Sequence, residues 1–407
     1  MIVRSRCFLR VPTLALCLAL AGSALALTER EALELLRASP YSRQLRAEAE
    51  IARVGAERQK IYPNPAVSAT LEGAGRTDFL MFEQAIPMNG RRSLLYEAAE
   101  SGARAAMSSA DHTLRQVEAA LRRSFYRLVY LQVRAQMARE HIAESEKLLR
   151  ILREREAAGE GSKFDRLQGE REIVEQETDL AQIDVMMGEA RAELARYLGD
   201  AVSPARLAAD GTLAPGFDLP LLREALAAGL GARGDYRVEA ERLEQLRLED
   251  EAAQRLRIPN PVVSGGVKRA EVAGQFVTGP VVGVSVDLPI FRKGRVERAV
   301  AAAKTIRTQE RRSALERQIL AEVRSSHDAL RLHRQMARDY RLQSEQRVQE
   351  LAEIAEVAYR EGELGILDLL ETRRVAHRAR LQQLELDATA KLAEVEFDRS
   401  VAKELLP

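Results

Sequence analysis

The pattern that most restricts the fold of this 407-residue chain is a Pro-Asn-Pro sequence that occurs twice, at residues 63–65 and 259–261. Each copy ends a charged helical stretch, because a residue before proline is driven out of helical geometry and the chain leaves as a strand. Two short segments of alternating apolar and polar residues follow each copy. This alternation is typical of a β-hairpin with one apolar face. We therefore predict hairpin strands within residues 64–87 and within residues 260–289.

Each predicted hairpin leads into a long helix. Residues 93–158 contain no proline and a single glycine, which allows a helix about 100 Å long. Apolar and small residues recur along it in alternating steps of three and four, the repeat of a left-handed coiled coil. This seam consists of Leu114, Val117, Leu121, Ser124, Leu128, Leu131, Ala135, Ala138, Ile142, Ser145, Leu149 and Leu152. A similar seam predicts one unbroken second helix to about Arg360, with Arg347, Leu351, Ile354 and Ala358 as its last seam positions.

Glycine-containing turns end both long helices, and a return helix follows each turn. Ser162 and Asp165 have the spacing of a helix-capping box, and we expect Asp368 to cap the second return helix. Exposed turns of this kind carry function more often than cores do, so both are candidate docking surfaces for another coiled-coil protein. The residues concerned are Gly159, Gly161, Ser162 and Asp165 in the first turn and Gly362, Leu364, Gly365 and Asp368 in the second.

The two halves of the chain share these landmarks in the same order. Pro87 corresponds to Pro289, and Gly159 corresponds to Gly362. We therefore predict a mainly α fold with a small β part, built as a tandem repeat of helix, β-hairpin, long helix and return helix. The repeats are residues 27–199 and 217–407, and residues 200–216 form a linker.

The first 26 residues have the pattern of a secretory signal peptide. Three arginines precede an apolar run that is too short to span a bilayer, and small residues follow at the expected cleavage site. Both cysteines, Cys7 and Cys17, lie in this segment, so the mature chain is expected to form no disulfide. Lipidation of Cys17 is disfavoured because the bulky Leu16 precedes it.

Composition excludes several classes of function. The chain has 62 Lys and Arg against 61 Asp and Glu, and this balance argues against a nucleic-acid-binding surface. The histidines lack the spacing of a chelating pair, and we interpret them as polar residues of the coiled coil. No phosphate-binding loop or nucleophile motif is present. We predict no catalytic residue, no metal site and no cofactor.

The strand pattern alone leaves two interpretations open. Val282, Val284 and Val286 alternate with Gly283 and Ser285. This alternation is typical of a strand that faces lipid on one side in an outer-membrane barrel. A soluble hairpin that is half buried has the same pattern. The very long flanking helices favour the first interpretation.

Taken together, these motifs resemble the TolC-type outer-membrane efflux proteins. The resemblance rests on the two Pro-Asn-Pro sequences, on Leu-Pro-Ile-Phe at residues 288–291 with Gly294, and on Tyr-Arg-Glu-Gly-Glu-Leu-Gly-Ile-Leu-Asp at residues 359–368. It covers essentially the whole mature chain. The short linkers make the chain similar to the heavy-metal cation branch of that family.

The resemblance implies a homotrimer that forms a 12-stranded β-barrel in outer-membrane lipid, continued by a coiled-coil α-barrel in the periplasm. It also implies an inner-membrane RND-type pump and a periplasmic adaptor protein. The adaptor would dock at the two helix tips, which are the turns at residues 159–165 and 362–368. The expected junctions between the barrel and the helices are Pro63, Pro65, Pro87, Gly90, Pro259, Pro261, Pro289 and Gly294. The first tip is more polar than the second, so the two adaptor contacts are expected to differ.

These expectations describe a passive exit duct for an efflux system, with heavy-metal cations as one candidate substrate. A duct for drug efflux or type I protein secretion is the main alternative, since no residue pattern in the chain selects a substrate. A periplasmic adaptor and a soluble coiled-coil scaffold are more distant alternatives. We expect the periplasmic end of the duct to open when the helices shift around residues 159–165 and 362–368.

Overall fold

The computed structural model describes residues 25–73, 76–199, 202–214, 218–291 and 293–402. Residues 1–24 of the predicted signal peptide, with both cysteines, lie outside these ranges, and the signal peptide stays a prediction. Among the helices in the described ranges, none is both long and apolar enough to cross a membrane.

The first half of the chain consists of a short strand, two helices, a hairpin and two long helices. These elements are β1 (Leu25–Thr28), α1 (Glu29–Ala38), α2 (Pro40–Glu57), β2 (Ala66–Glu72), β3 (Thr77–Ala85), α3 (Arg91–Ala157) and α4 (Lys163–Leu198). Thr28 and Glu31 form a capping box at the start of α1. Pro40 begins α2, where its missing N–H costs no hydrogen bond.

The second half has a similar order of elements. They are β4 (Leu207–Asp210), α5 (Leu222–Ala232), α6 (Gly234–Gln254), β5 (Pro261–Val272), β6 (Gln275–Val286), α7 (Arg295–Tyr340), a π-helix (Arg341–Glu345), α8 (Gln346–Arg360) and α9 (Ile366–Val401). The strands therefore lie within the predicted ranges of both hairpins. The mainly α composition with a small β part is confirmed.

The two hairpins form a single antiparallel sheet. Its strand order is β2-β3-β5-β6, so the hairpins meet through β3 and β5. Ala85 lies opposite Val262 at one end of this contact, and Thr77 lies opposite Ala270 at the other. The sheet stands at the end of the molecule from which the long helices α3 and α7 begin.

The predicted seam of α3 faces the helical core. Leu121, Leu128 and Ala135 are fully buried, and none of the predicted seam positions is exposed. In α4, Ile183, Ala190 and the other buried residues continue the core on the return helix. Heptad spacing therefore identified the buried face correctly in the first half.

The predicted seam of the second long helix is wrong beyond residue 344. The π-helix Arg341–Glu345 interrupts the helix, and the buried positions that follow are Ala355 and Tyr359 rather than Ile354 and Ala358. A π-turn accommodates one residue more than an α-turn, so every later seam position moves by one. Leu351 and Ile354 are consequently exposed, at 55% and 58%.

The predicted linker contains regular structure. Its strand β4 pairs in parallel with β1, with Leu27 opposite Ala209 and Thr28 opposite Asp210. Leu27, Leu207 and Ala209 are buried in the same core cluster as α3 and α4. The segment between the halves therefore holds the start of α1 against the core, while its role as a domain boundary stays a prediction.

Candidate functional site

One face of the four-stranded sheet is mostly apolar. In the strand register, Val67 lies opposite Phe82, Phe82 opposite Gly265, and Gly265 opposite Val282. Val67 is 71% exposed and Val282 is 81% exposed. The predicted alternation is confirmed, and it leaves a large apolar face uncovered in the single subunit. A surface of this kind needs lipid or protein to cover it.

Both edges of the sheet are open within the described residues. There, β2 pairs only with β3, and β6 pairs only with β5. An edge strand offers a row of unused N–H and C=O groups to another strand. The two open edges come from opposite ends of the strand order, so one edge of a subunit can pair with the other edge of a second subunit.

Two asparagines lock the hairpins to the start of the long helix α3. The Asn260 side-chain oxygen accepts hydrogen bonds from the backbone N–H of Met88 at 3.1 Å and of Asn89 at 3.3 Å. The buried Asn89 side chain donates to the Ile258 carbonyl oxygen at 3.3 Å and accepts from the Arg91 N–H at 3.0 Å. The second Pro-Asn-Pro sequence is therefore a structural clamp between the two halves.

The predicted junction residues lie where strands and helices meet. Pro261 is the first residue of β5, and the other predicted prolines lie in the connections. Gly90 and Gly294 are the N-cap residues of α3 and α7, with φ of 69° and 72°. Both therefore adopt the left-handed conformation that side chains disfavour. A Cβ atom at Gly294 would lie 2.1 Å from the Ala253 carbonyl oxygen.

The two helix tips have the same backbone design. Gly159 and Gly362 have φ of 78° and 76° and follow the last residues of α3 and α8. After each helix, two N–H groups bond to carbonyl oxygens of its last turn, from Gly159 and Glu160 in the first tip and from Gly362 and Glu363 in the second. This arrangement is a Schellman motif, which requires a residue that tolerates positive φ.

The capping roles predicted at the tips are partly wrong. The Ser162 hydroxyl oxygen accepts from the Phe164 N–H at 3.0 Å, rather than from Asp165. Gly365, which has no side chain, is the N-cap of α9, and Asp368 is the third residue of that helix. Asp165 and Asp368 both occupy the first turn, where a negative charge interacts favourably with the helix dipole.

The tips are held to one another by an apolar cluster. Arg155 of α3 donates to the Tyr359 hydroxyl at 3.4 Å, and its guanidinium lies 5.3 Å from the centre of that ring. The partly buried Leu364 packs against the cluster, whereas Phe164 and Leu367 of the two tips are exposed. This tip cluster consists of Leu148, Leu152, Ala355, Tyr359, Ile366, Leu369 and Leu370.

Gly161 and Gly365 have different surroundings. A Cβ atom at Gly161 would lie 2.8 Å from the Glu156 backbone nitrogen, so the turn closes tightly on the end of α3. At Gly365 the nearest atom would be Oδ2 of Asp368 at 3.4 Å, which is an ordinary contact. The first tip is therefore the more compact turn.

A pair of histidines joins the two helical hairpins, of which the first consists of α3 and α4 and the second of α7, α8 and α9. The pair lies between the core and the tips. The rings of His141 on α3 and His377 on α9 are stacked, with centroids 4.1 Å apart and an angle of 6° between their planes. Burial lowers the pKa of both imidazoles, and that of His377 to about 4. The sequence gives no sign of this contact, because the two residues are far apart in the chain.

A buried ionic network ties α1, α3 and α9 together near the ends of the described chain. The Arg122 guanidinium bonds to Asp398 at 2.8 Å and also to Glu29, which accepts a further hydrogen bond from Tyr126. Burial raises the pKa of Asp398 to about 6, against the lowering effect of Arg122. Glu29, Arg122 and Asp398 border a cavity of about 580 Å³.

Comparisons with known proteins identify the architecture. The outer membrane protein VceC from Vibrio cholerae superposes with a TM-score of 0.73 at 18% identity, over 92% of this chain and 95% of VceC. The open-state outer membrane channel MtrE from Neisseria gonorrhoeae gives 0.74 at 17% identity, over 93% and 89%. This chain has the fold of an outer-membrane channel.

The mainly α chain fold with a small sheet, as expected from the resemblance to TolC-type proteins, is thereby confirmed. CusC, whose structures record conformational changes that accompany folding and transmembrane channel formation, gives a TM-score of 0.72 at 16% identity, over 95% of both chains. No protein-family model matches the sequence, and no curated protein is similar to it in sequence. The likeness is therefore carried by the fold. Within the described residues, no group of three or more His, Cys, Asp or Glu side chains is placed to hold a metal ion.

Proposed function

We propose that this chain is the outer-membrane exit duct of a tripartite efflux system and that it acts as a passive homotrimeric channel rather than as an enzyme. The observation that carries the proposal is the four-stranded sheet, which has an exposed apolar face and two open edges. Four strands are too few to close a barrel, and no strand edge is stable in lipid. Three copies supply the 12 strands of a closed barrel in the outer membrane, and the long helices extend into the periplasm.

The contact between β3 and β5 inside one subunit predicts the contact between subunits. Aligning the hairpins on their prolines maps the pair Val67–Phe82 of the first onto Val263–Val284 of the second, which is the observed register. The same alignment maps the pair Gln84–Val263, which joins the two hairpins, onto Val286 of one subunit and Val67 of the next. Both valines belong to the exposed apolar face.

Cysteine crosslinking tests this register. Val286→Cys combined with Val67→Cys should give covalent dimers and trimers after oxidation in outer-membrane vesicles. The control pair is Val286→Cys with Ser68→Cys, which moves one cysteine to the other face of the sheet. Failure of the first pair to crosslink, or equal yields from both pairs, would refute the proposed trimer. Purified crosslinked trimer should also conduct ions in planar bilayers.

The helix tips are the proposed site for the periplasmic adaptor. Phe164 and Leu367 occupy equivalent places in the two tips, and both are exposed beside the first-turn Asp165 and Asp368. Exposed apolar side chains at a rigid turn are suited to contact another helical hairpin. Replacing both Phe164 and Leu367 by Ser should abolish adaptor copurification while leaving the trimer intact. Retained copurification would exclude the tips as the contact.

The proposed periplasmic aperture closes where the two tips meet. The tip cluster and the Arg155–Tyr359 contact hold the end of α3 to α8 and α9. Opening then requires these helices to move apart around the turns at Gly159 and Gly362. A crosslink between the tips of neighbouring subunits should stop export in cells. Undiminished export would show that the tips do not move.

The substrate follows from the pump rather than from the duct. We propose an inner-membrane RND-type pump as the energy source, with heavy-metal cations as one candidate substrate class. Drug efflux and type I protein secretion use ducts of the same kind and remain the alternatives. Identification of the pump that copurifies with the duct and its adaptor decides among these three.

A further inference from the structure

The stacked histidines occupy the contact that leads from the helical core to the tips. His141 belongs to the first helical hairpin and His377 to the second, so their contact joins two units that must separate if the tips part. His141 lies 16 residues before the end of α3, which corresponds to roughly 25 Å along the helix. Leu148, Leu152 and Leu369 continue the same interface toward the tips.

Parallel stacking at this distance depends on the charge of the rings. Two neutral imidazoles, or one neutral and one charged, can stack at 4.1 Å, whereas two imidazolium ions repel each other there. Both rings are also partly buried, and burial disfavours the charged form. The neutral pair is therefore the form that this interface accommodates.

The surrounding charges do not compensate for protonation of the pair. Arg373, Arg374 and Arg380 on α9 oppose a positive charge, whereas Glu144 on α3 and Glu172 and Asp179 on α4 favour one. Glu172, the carboxylate that most favours the charged form of His141, is already bound to Arg374 at 2.5 Å. Protonation of His141 thus adds charge to a site in which this carboxylate is already paired with an arginine.

We propose that His141 and His377 form an acid-sensitive latch, in which protonation of the pair separates α3 from α9 and favours opening of the tips. This role deepens the proposed exit duct and rests on it, because it assigns a regulator to the same aperture. Acid in the periplasm would then open the duct, and neutral pH would hold it closed.

The direction of the effect follows from the lowered pKa of the stacked rings. The neutral contact contributes its full stability above the pKa of a free histidine, about 6.5, and loses it as the pH falls toward 4. Between these values each pH unit lowers the ratio of closed to open tips by about tenfold for one titrating ring. From pH 6.5 to pH 4.5 the expected change is roughly 40-fold, because the dependence is shallower near each of the two pKa values.

The test measures the distance between the tips directly. Spin labels at Glu160→Cys and Glu363→Cys, both on exposed turn residues, report the separation in the full-length trimer between pH 7.5 and pH 4.5. The labelled protein with the histidine pair intact should shift to longer distances as the pH falls. His377→Phe keeps an aromatic ring that cannot be protonated, and it should hold the distance seen at neutral pH. His377→Gln gives a second variant that cannot be protonated at position 377, if the Phe variant folds poorly.

His333→Phe is the matched control, because His333 lies on α7 outside the pair. In this variant the distance between the tips should increase with acid, as it does in the parent protein. Acid widening in the His377 variants, or no widening in the parent, would overturn the latch. Conductance in planar bilayers is recorded in parallel. If the distance between the tips increases with acid in protein that never conducts, the latch is supported and the duct is not. If the protein conducts and the distance between the tips stays constant, the duct is supported and the latch is overturned.

Discussion

Replacement of two glycines by alanine should separate conformational strain from steric conflict at the junctions. Gly90 and Gly294 are both N-cap residues in the left-handed conformation, with nearly equal φ. Among the described residues, no atom lies within 4 Å of a Cβ atom built at Gly90. At Gly294, the same Cβ atom would lie 2.1 Å from the Ala253 carbonyl oxygen and 3.0 Å from the carbonyl carbon. The two positions therefore share the strain and differ in the available space.

The magnitudes follow from these surroundings. An L-residue in the left-handed conformation costs about 1–2 kcal/mol relative to glycine, and Gly90→Ala should show this cost alone. Gly294→Ala should add about 1–3 kcal/mol, because the start of α7 must move away from the end of α6. At about 2 °C or less per kcal/mol for a chain of this length, Gly294→Ala should lower the melting temperature about twice as much as Gly90→Ala.

Thermal unfolding of the purified protein, followed by circular dichroism, measures both variants. Asparagine variants supply the control, because asparagine tolerates the left-handed conformation better than other side chains. Gly90→Asn should be nearly neutral, whereas Gly294→Asn should still destabilise through its Cβ atom. Equal losses at the two positions, or a larger loss at Gly90, would show that the contact with Ala253 does not limit this junction.

Two further predictions concern the buried ionic network. Arg122→Met leaves the Glu29 and Asp398 carboxylates buried without their cation and should lower the free energy of unfolding by about 3–5 kcal/mol. The control Arg123→Met breaks an exposed pair with Glu396 and should cost about 1 kcal/mol or less, so similar urea midpoints would contradict this account. Because the pKa of Asp398 is raised to about 6, the native state binds its proton more tightly than the unfolded state, and stability should fall by about 2 kcal/mol as the pH rises from 4 to 6. Asp398→Asn should remove this slope in urea titrations at the two pH values, and an unchanged slope would assign it to other groups.

The sequence predicts those parts of the fold that local spacing controls. The hairpins are recognisable because prolines mark their ends and alternation marks their faces, as at Val282 and Val284. The seam of α3 is recognisable because its apolar residues keep one heptad phase from Leu114 to Leu152. In both cases one local rule and the final packing agree.

The contacts between distant segments could not be predicted from such patterns. Strand β1 has four residues and pairs with a segment that reads as a linker, so neither strand shows a recognisable alternation. Asn260 was identified as part of a repeated motif, but its bonds to Met88 and Asn89 depend on how the two hairpins meet. The stacking of His141 on His377 likewise arises only when α3 and α9 are brought together.

The phase shift in the second long helix has a different cause. Leu351, Ile354 and Val357 are as apolar as the residues that are buried, so composition does not reveal which face of α8 turns inward. Heptad counting from Ile319 then selects the wrong face, because it cannot detect the extra residue in the π-helix. Aligning the two halves at Gly159 and Gly362 instead maps the seam residue Leu152 onto the buried Ala355, so the glycine turns carry the correct phase that heptad counting misses.

The π-helix also changes how this chain can tolerate insertions and deletions. In a continuous coiled coil, loss of one residue rotates everything downstream by about 100° and turns the seam outward. Loss of one residue within Arg341–Glu345 would instead convert the π-turn into an ordinary α-turn. Helix α8 would keep its orientation, and Tyr359 would keep its place in the tip cluster. This segment is therefore a place where the length of the helix can change during evolution without altering the face that it presents.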